Sequence, residues 1–217
     1  MVKAVLFDMD GTMLDTEPVS AECWKKAAKE LGYVIEDRFM NTLYGKNIAS
    51  IEKMLQAEFG ICEEAVEIIE RRLMHYKAYL AEYGVPKKPG LIEVLEYLKR
   101  EHIPAVVCTS TEKATAENVL KKAGIYDYFA GHVYGDMVTR SKPDPQGFHM
   151  AAELAGQKPC DCLVVEDSPN GVLAGKAAGG SIIFIPDCME MPEGVLDGIT
   201  AQLSDLNELM VWIENHK

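Results

Sequence analysis

Two carboxylates, Asp8 and Asp10, stand two residues apart at the end of the apolar run 4–7 and are followed at once by Gly11. On an extended chain residues 8 and 10 point to the same side, so the pair shares one small space. Like charges that close repel, and such a pair persists when a cation offsets it or when one carboxyl keeps its proton. Gly11 lets the backbone turn sharply just past the strand. The stretch reads as a metal-assisted site at the carboxyl end of a buried parallel strand, where open α/β sheets bind ligands. A calcium loop would need more oxygen ligands at regular spacing and a glutamate at its twelfth position, and Met13, Leu14 and Pro18 do not fit it. A plain surface turn is the other reading.

Later apolar runs stop in the same way. Pro104 to Cys108 ends at Thr109-Ser110, and Cys162 to Val165 ends at Glu166-Asp167-Ser168. Lys142 lies in the loop Ser141-Lys142-Pro143-Asp144-Pro145, which follows a short strand at Gly131 to Tyr134. A hydroxyl with a backbone N–H can hold a phosphoryl oxygen, and a lysine can neutralise another. Two further carboxylates, Glu166 and Asp167, would complete a hard-oxygen magnesium site. Taken singly, Thr109-Ser110 and Glu166-Asp167-Ser168 would also serve as helix caps, and Lys142 as a solvated loop residue. Their recurrence at successive strand ends argues for one site. The stretch 171–177 comes near a phosphate-binding Walker loop but is one residue short and lacks its Ser or Thr, so it reads as helix packing. His75, His102, His132 and His149 show no metal-ligand spacing.

The elements that must position these residues follow from periodicity. Pro18 suits the first turn of a helix running to Gly32, with Val19, Cys23, Trp24, Ala27 and Leu31 at helical spacing. Phe39, Met40 and Leu43 mark a second helix, and Ile48, Ile51, Leu55 and Phe59 a third. Val66, Ile69, Leu73, Tyr76 and Leu80 predict the inward stripe of a fourth that stops by Gly84. Nothing from 17 to 83 alternates like a strand. From Pro89 strands and helices alternate, with strands at 104–108, 131–134, 162–165 and 181–185 and a closing helix through Leu206, Leu209, Val211 and Trp212. The expected fold is α/β: a doubly wound, mostly parallel sheet formed by residues 1–15 and 87–217, with an α-helical cap inserted at 16–86.

A chain of 217 residues with 48% hydrophobic content can bury a core without staples. Its six cysteines lack the paired spacing of a zinc site or disulfide framework, and Cys160-Asp161-Cys162 is too short for C-x-x-C. A formal net charge of −12 argues against nucleic acid and anionic membrane surfaces as partners. A small phosphorylated substrate remains compatible with that charge, because a divalent cation and one lysine reverse the local sign. No apolar run approaches the length of a membrane span, and the expectation is a cytoplasmic, monomeric protein.

In their order the motifs resemble the haloacid dehalogenase superfamily, in the branch of β-phosphoglucomutase and the small phosphatases. Asp8-Met9-Asp10-Gly11-Thr12 resembles its first motif, Thr109 its second, Lys142 its third and Glu166-Asp167 its fourth. The helical segment resembles the cap that this branch inserts after the first motif. The resemblance implies that Asp8 attacks phosphorus to give an aspartyl phosphate and that Asp10 serves as general acid and base. It also implies magnesium held by the Asp8 carboxylate, the Asp10 main-chain carbonyl and Asp167, with Glu166 in or beside the shell. Thr109, Ser110 and Lys142 would grip the phosphoryl oxygens. Where β-phosphoglucomutases carry a cap arginine and a helix histidine, this chain reads Gly45-Lys46-Asn47-Ile48 and Ser20, which favours a phosphatase over a phosphomutase. A signalling receiver domain shares the chemistry but places its lysine last, and a catalytically silent binding module would not need the full set.

Overall fold

The computed structural model describes residues 2–216. Six strands, β1 (Ala4–Phe7), β2 (Ala105–Cys108), β3 (Gly131–Val133), β4 (Cys162–Glu166), β5 (Ser181–Phe184) and β6 (Ala201–Gln202), form one sheet in the order β3-β2-β1-β4-β5-β6. Every pairing is parallel. The central strands carry apolar residues at every position because both faces are covered. Val5 and Phe7 join one buried cluster with Val107, Val165 and Ile183, while Ala4 and Leu6 join the other with Val106, Val164 and Ile182.

Parallel strands need crossovers, and helices α5 (Leu91–Arg100), α6 (Lys113–Lys122), α7 (Gln146–Leu154) and α8 (Pro169–Ala178) lie within them. The strand order reverses at β1, with β2 on one side and β4 on the other. Such a switch point opens a crevice at the carboxyl ends of the strands. Register fixes what stands there. Phe7 lies level with Val107 and Val165, so Asp8, Thr109, Glu166 and Asp167 all emerge at this end. The bonds Asp8 N–H to Val165 O and Thr109 N–H to Val133 O, both 3.0 Å, carry the ladder one step beyond the strands.

Between β1 and α5 the chain forms α1 (Glu17–Glu30), α2 (Asp37–Leu43), α3 (Ile48–Phe59) and α4 (Glu63–Tyr83), with no strand from 16 to 86. These helices bury their own apolar cluster, which includes Trp24, Leu43, Ile51, Leu55 and Ile68. The two crossings into the insertion run side by side: Lys88 N–H donates to Met13 O at 3.0 Å and Asp15 N–H to Pro86 O at 3.1 Å.

Three expectations need correction. In α4 the buried residues are Ala65, Ile68, Tyr76 and Leu80, and Val66 is exposed. The helix carries two adjacent apolar stripes; one packs toward α1, while Ile69 and Leu73 line a cavity, and periodicity alone does not say which faces which. In the last helix, α9 (Leu206–Asn215), Ile213 is buried and Val211 is half-exposed. Strand β6 was not expected at all, since two residues are too short to show alternation.

Candidate active site

Lys142 is the hub of the crevice. Its Nζ donates to Asp8 Oδ1 at 2.5 Å, to Glu166 Oε1 at 2.6 Å and to the Cys108 carbonyl at 2.9 Å, with the side chain only 9% exposed. The solvated-loop reading of this lysine therefore fails. Burial opposes its charge, but Asp8 and Glu166 hold it protonated well above the usual lysine range. Glu166 is fully buried, and its second oxygen accepts from the Asp167 and Ser168 N–H groups at 3.0 Å and from Ser168 Oγ at 2.9 Å. Gly171 makes room for it: a Cβ there would stand 1.7 Å from Glu166 Oε1. The glycine that suggested a phosphate loop thus serves the close approach of a carboxylate to α8. Ser168 is the cap of that helix, accepting from Gly171 N–H at 3.0 Å, which leaves Glu166 and Asp167 to the crevice.

Carboxylate oxygens of Asp8, Glu166 and Asp167 lie within 4.8 Å of one another, all three buried. Burial first, then the charges of Glu166 and Asp10, push the Asp8 carboxyl up to about 7 against the pull of Lys142. Burial and the charges of Glu166 and Asp8 hold Asp167 well above the usual carboxylate range, against a 2.6 Å hydrogen bond donated by Thr12 Oγ1. Three buried carboxylates around one ammonium leave the group short of positive charge, and hard oxygens in this number suit a magnesium-sized cation. Asp10 stands outside the group of three. The chain leaves the strand after Phe7, and the two Asp10 oxygens accept from Thr16 Oγ1 at 2.7 Å and Thr111 Oγ1 at 2.8 Å. Gly11 follows with φ +83°, a conformation that favours glycine.

Thr109 is buried at the end of β2, and its Oγ1 accepts from Thr111 N–H at 3.0 Å, which still leaves the hydroxyl hydrogen to donate. It does not cap α6, whose cap position is Glu112. Ser110 lies beside it on the cavity wall. All seven candidates, Asp8, Asp10, Thr109, Ser110, Lys142, Glu166 and Asp167, thus come to one end of the sheet.

A family model of haloacid dehalogenase-like hydrolases matches residues 2–179. The chain belongs to that family. Hexitol phosphatase A of Escherichia coli (strain K12) is 32% identical to this hydrolase over 96% of its chain and 94% of the relative. The phosphorylated carbohydrates phosphatase of Thermotoga maritima is 30% identical over 84% of each. Among solved structures, a β-phosphoglucomutase from Clostridium difficile matches the fold with a TM-score of 0.83 at 24% identity, covering 99% of this chain and 96% of that one.

Over the strand ends of the hydrolase lies a cavity of about 590 Å³, walled on one side by Asp8, Thr109 and Lys142 and on the other by the helical insertion. The insertion contributes polar groups that sequence periodicity assigned to no site. Arg72 of α4 lies over the rings of Trp24 and Tyr76, 5.2 and 4.6 Å from their centroids, and donates to Ser20 Oγ at 2.5 Å. Glu17, in the first turn of α1, reads in sequence as an ordinary helix-start acid. Burial first, then the charge of Asp10, push its carboxyl from 4.5 up to about 8, with Arg72 pulling it down.

That shift has a consequence for stability. The unfolded chain releases the Glu17 proton near 4.5, whereas the folded chain keeps it until about 8, so the stability tied to this group is lost as pH rises across that window. Glu17→Gln, which has no proton to lose, is expected to gain on the parent between about pH 5 and about pH 8.5 in metal-free buffer. Paired thermal melts at the two pH values check this, and a difference independent of pH would contradict it.

Proposed function

We propose that this hydrolase is a magnesium-dependent phosphatase acting on a small phosphorylated metabolite, a sugar or sugar-alcohol phosphate, through a phosphoryl group carried transiently on Asp8. The observation that carries the reading is Lys142 Nζ clamped between Asp8 and Glu166, beside Asp167, on the floor of a cavity large enough for a phosphorylated hexitol. The names of the two curated relatives, both phosphatases of carbohydrate-type substrates, support the substrate class.

In this reading an Asp8 oxygen attacks phosphorus in line. The P–O bond to the leaving group breaks, and Asp10, oriented by Thr16 and Thr111, gives that oxygen a proton. Asp10 then takes a proton from a water that attacks the same phosphorus, the bond to Asp8 breaks, and inorganic phosphate leaves. Thr109, Ser110 and Lys142 hold the equatorial oxygens throughout and stabilise their spread charge. The Asp8 and Asp167 carboxylates and the Asp10 carbonyl would hold magnesium, with Glu166 beside them as the anchor of Lys142. Magnesium supplies positive charge that offsets the carboxylates and the phosphoryl group. Residues 16–86 act as a cap that closes on the leaving group, hinged where Met13–Asp15 runs beside Pro86–Lys88.

Hydrolysis is favoured over phosphoryl return because Arg72, the cap cation on the cavity wall, is engaged with Ser20 and the rings of Trp24 and Tyr76. Ser20 is committed to Arg72, and Lys46 is exposed at the cavity rim. The test is a panel of sugar, sugar-alcohol and nucleotide monophosphates with phosphate release measured. Release is expected with magnesium, to stop in excess chelator and to return when magnesium is restored. Full activity in chelator would contradict the mechanism. With a hexose 1-phosphate and catalytic bisphosphate, isomerisation many times faster than phosphate release would replace the phosphatase reading by a mutase.

A further inference from the structure

Asp187 stands in the loop after β5, where Ile185 N–H still donates to the Glu166 carbonyl at 2.9 Å. That bond brings the loop to the carboxyl end of the sheet, beside the group of three carboxylates. The Asp187 side chain is 6% exposed. Its Oδ1 pairs with Lys88, whose ammonium also holds Asp15 Oδ1 at 2.9 Å across the two crossings into the insertion. Its Oδ2 is buried and has no hydrogen-bond partner among the described residues.

The direction of that oxygen is given by Gly11. A Cβ on Gly11 would stand 2.4 Å from Asp167 Oδ2 and 2.9 Å from Asp187 Oδ2, so the two oxygens converge on one point from different loops. A buried carboxylate oxygen with no hydrogen bond of normal geometry is costly; Asp167 Oδ2 shares its surroundings, and the Cys188 thiol lies against the Asp187 carboxylate. Glu166 offers a contrast, since its two oxygens already accept from Lys142, the Asp167 and Ser168 N–H groups and Ser168 Oγ. Glu166 is committed to protein donors; Asp187 keeps one oxygen for something else. A water molecule carried by a divalent cation is a strong donor of the required kind.

We propose that Asp187 is a positioning residue of the cation site: Lys88 aims it, and its Oδ2 accepts a hydrogen bond from a water on the cation held by Asp8 and Asp167. This rests on the magnesium reading above, and the experiment separates the two. Magnesium chloride is titrated calorimetrically into metal-free protein for the parent, Asp187→Asn, Asp167→Asn and Asp15→Asn, with thermal melts of each metal-free form. Asp187→Asn is expected to weaken magnesium binding by about 10- to 100-fold, the range for partners that orient a metal's ligands. Asp15→Asn removes the same charge from the far side of Lys88 and is expected to leave the affinity within about twofold. A merely structural role for Asp187 would lower the metal-free melting temperature and leave the magnesium affinity where it was, which overturns the proposal. Equal weakening in Asp15→Asn also overturns it. If Asp167→Asn binds magnesium as the parent does, the cation site itself falls. Should Asp187→Asn fail to fold, Asp187→Glu keeps the charge and lengthens the arm, and the same weakening is expected of it; undiminished affinity there counts against the proposal.

Discussion

Asp8→Asn is expected to lower turnover by at least ~10⁴-fold and to abolish formation of a covalent phosphoenzyme, because it replaces the attacking oxygen by an amide that does not displace an alkoxide. The fold should survive, since the asparagine is close in shape and relieves the repulsion that burial and Glu166 impose on this carboxyl. Steady-state assays on freshly purified protein, under conditions that prevent deamidation, check the result. Substantial activity in Asp8→Asn would remove Asp8 from its role. Asp10→Asn offers a useful companion, because its side chain is held by Thr16 and Thr111 rather than by the group of three carboxylates. It should retain magnesium binding through its main-chain carbonyl while losing proton transfer.

Lys142→Met is expected to have the second-largest effect, and it acts on two levels. Removing a donor that stabilises transition-state charge costs about 10²- to 10³-fold in kcat. The same change leaves Asp8 and Glu166 buried without their shared cation, and breaking a buried pair from one side costs about 3–5 kcal/mol of stability. Chemical unfolding of the metal-free protein and kcat of the magnesium-loaded form read the two losses separately. A variant that kept full stability would show that the clamp seen around Nζ contributes little to the fold.

The motif residues were legible because each breaks an apolar run with a reactive side chain. Asp8, Thr109 and Asp167 follow strands buried on both faces, and Glu166 is the last residue of β4, a step beyond the expected strand end. Lys142 was legible only in company; alone it reads as a solvated loop residue, and only the folded sheet shows it buried against two carboxylates. A mostly parallel sheet followed from alternating strand and helix patterns; that every pairing is parallel is shown only by the fold, whose crossovers each contain a helix or a long loop.

What stayed hidden has physical causes. Thr12, Thr16 and Thr111 hold Asp167 and Asp10 through single hydroxyls, and a threonine in a turn carries no signature of its partner. Glu17 and Arg72 sit on amphipathic helices, whose charged positions a periodicity argument sends to solvent. They face the cavity because the insertion lies over the sheet, which is a tertiary fact. Asp187 and Lys88 are far apart in sequence and meet beside the two crossings into the insertion, so neither stands out as part of a motif. The α4 stripe was misplaced for a similar reason: one apolar face packs toward α1 and another lines the cavity.

The most direct test of the central claim is to trap the covalent intermediate. Magnesium-loaded enzyme is mixed with a turned-over sugar or sugar-alcohol phosphate, quenched in acid within a turnover and digested for peptide mass spectrometry. The predicted result is one added phosphoryl group on the peptide that contains Asp8, missing in Asp8→Asn or in chelator. A phosphoryl group on any other residue, or phosphate release that persists in Asp8→Asn with no labelled peptide, would contradict the account.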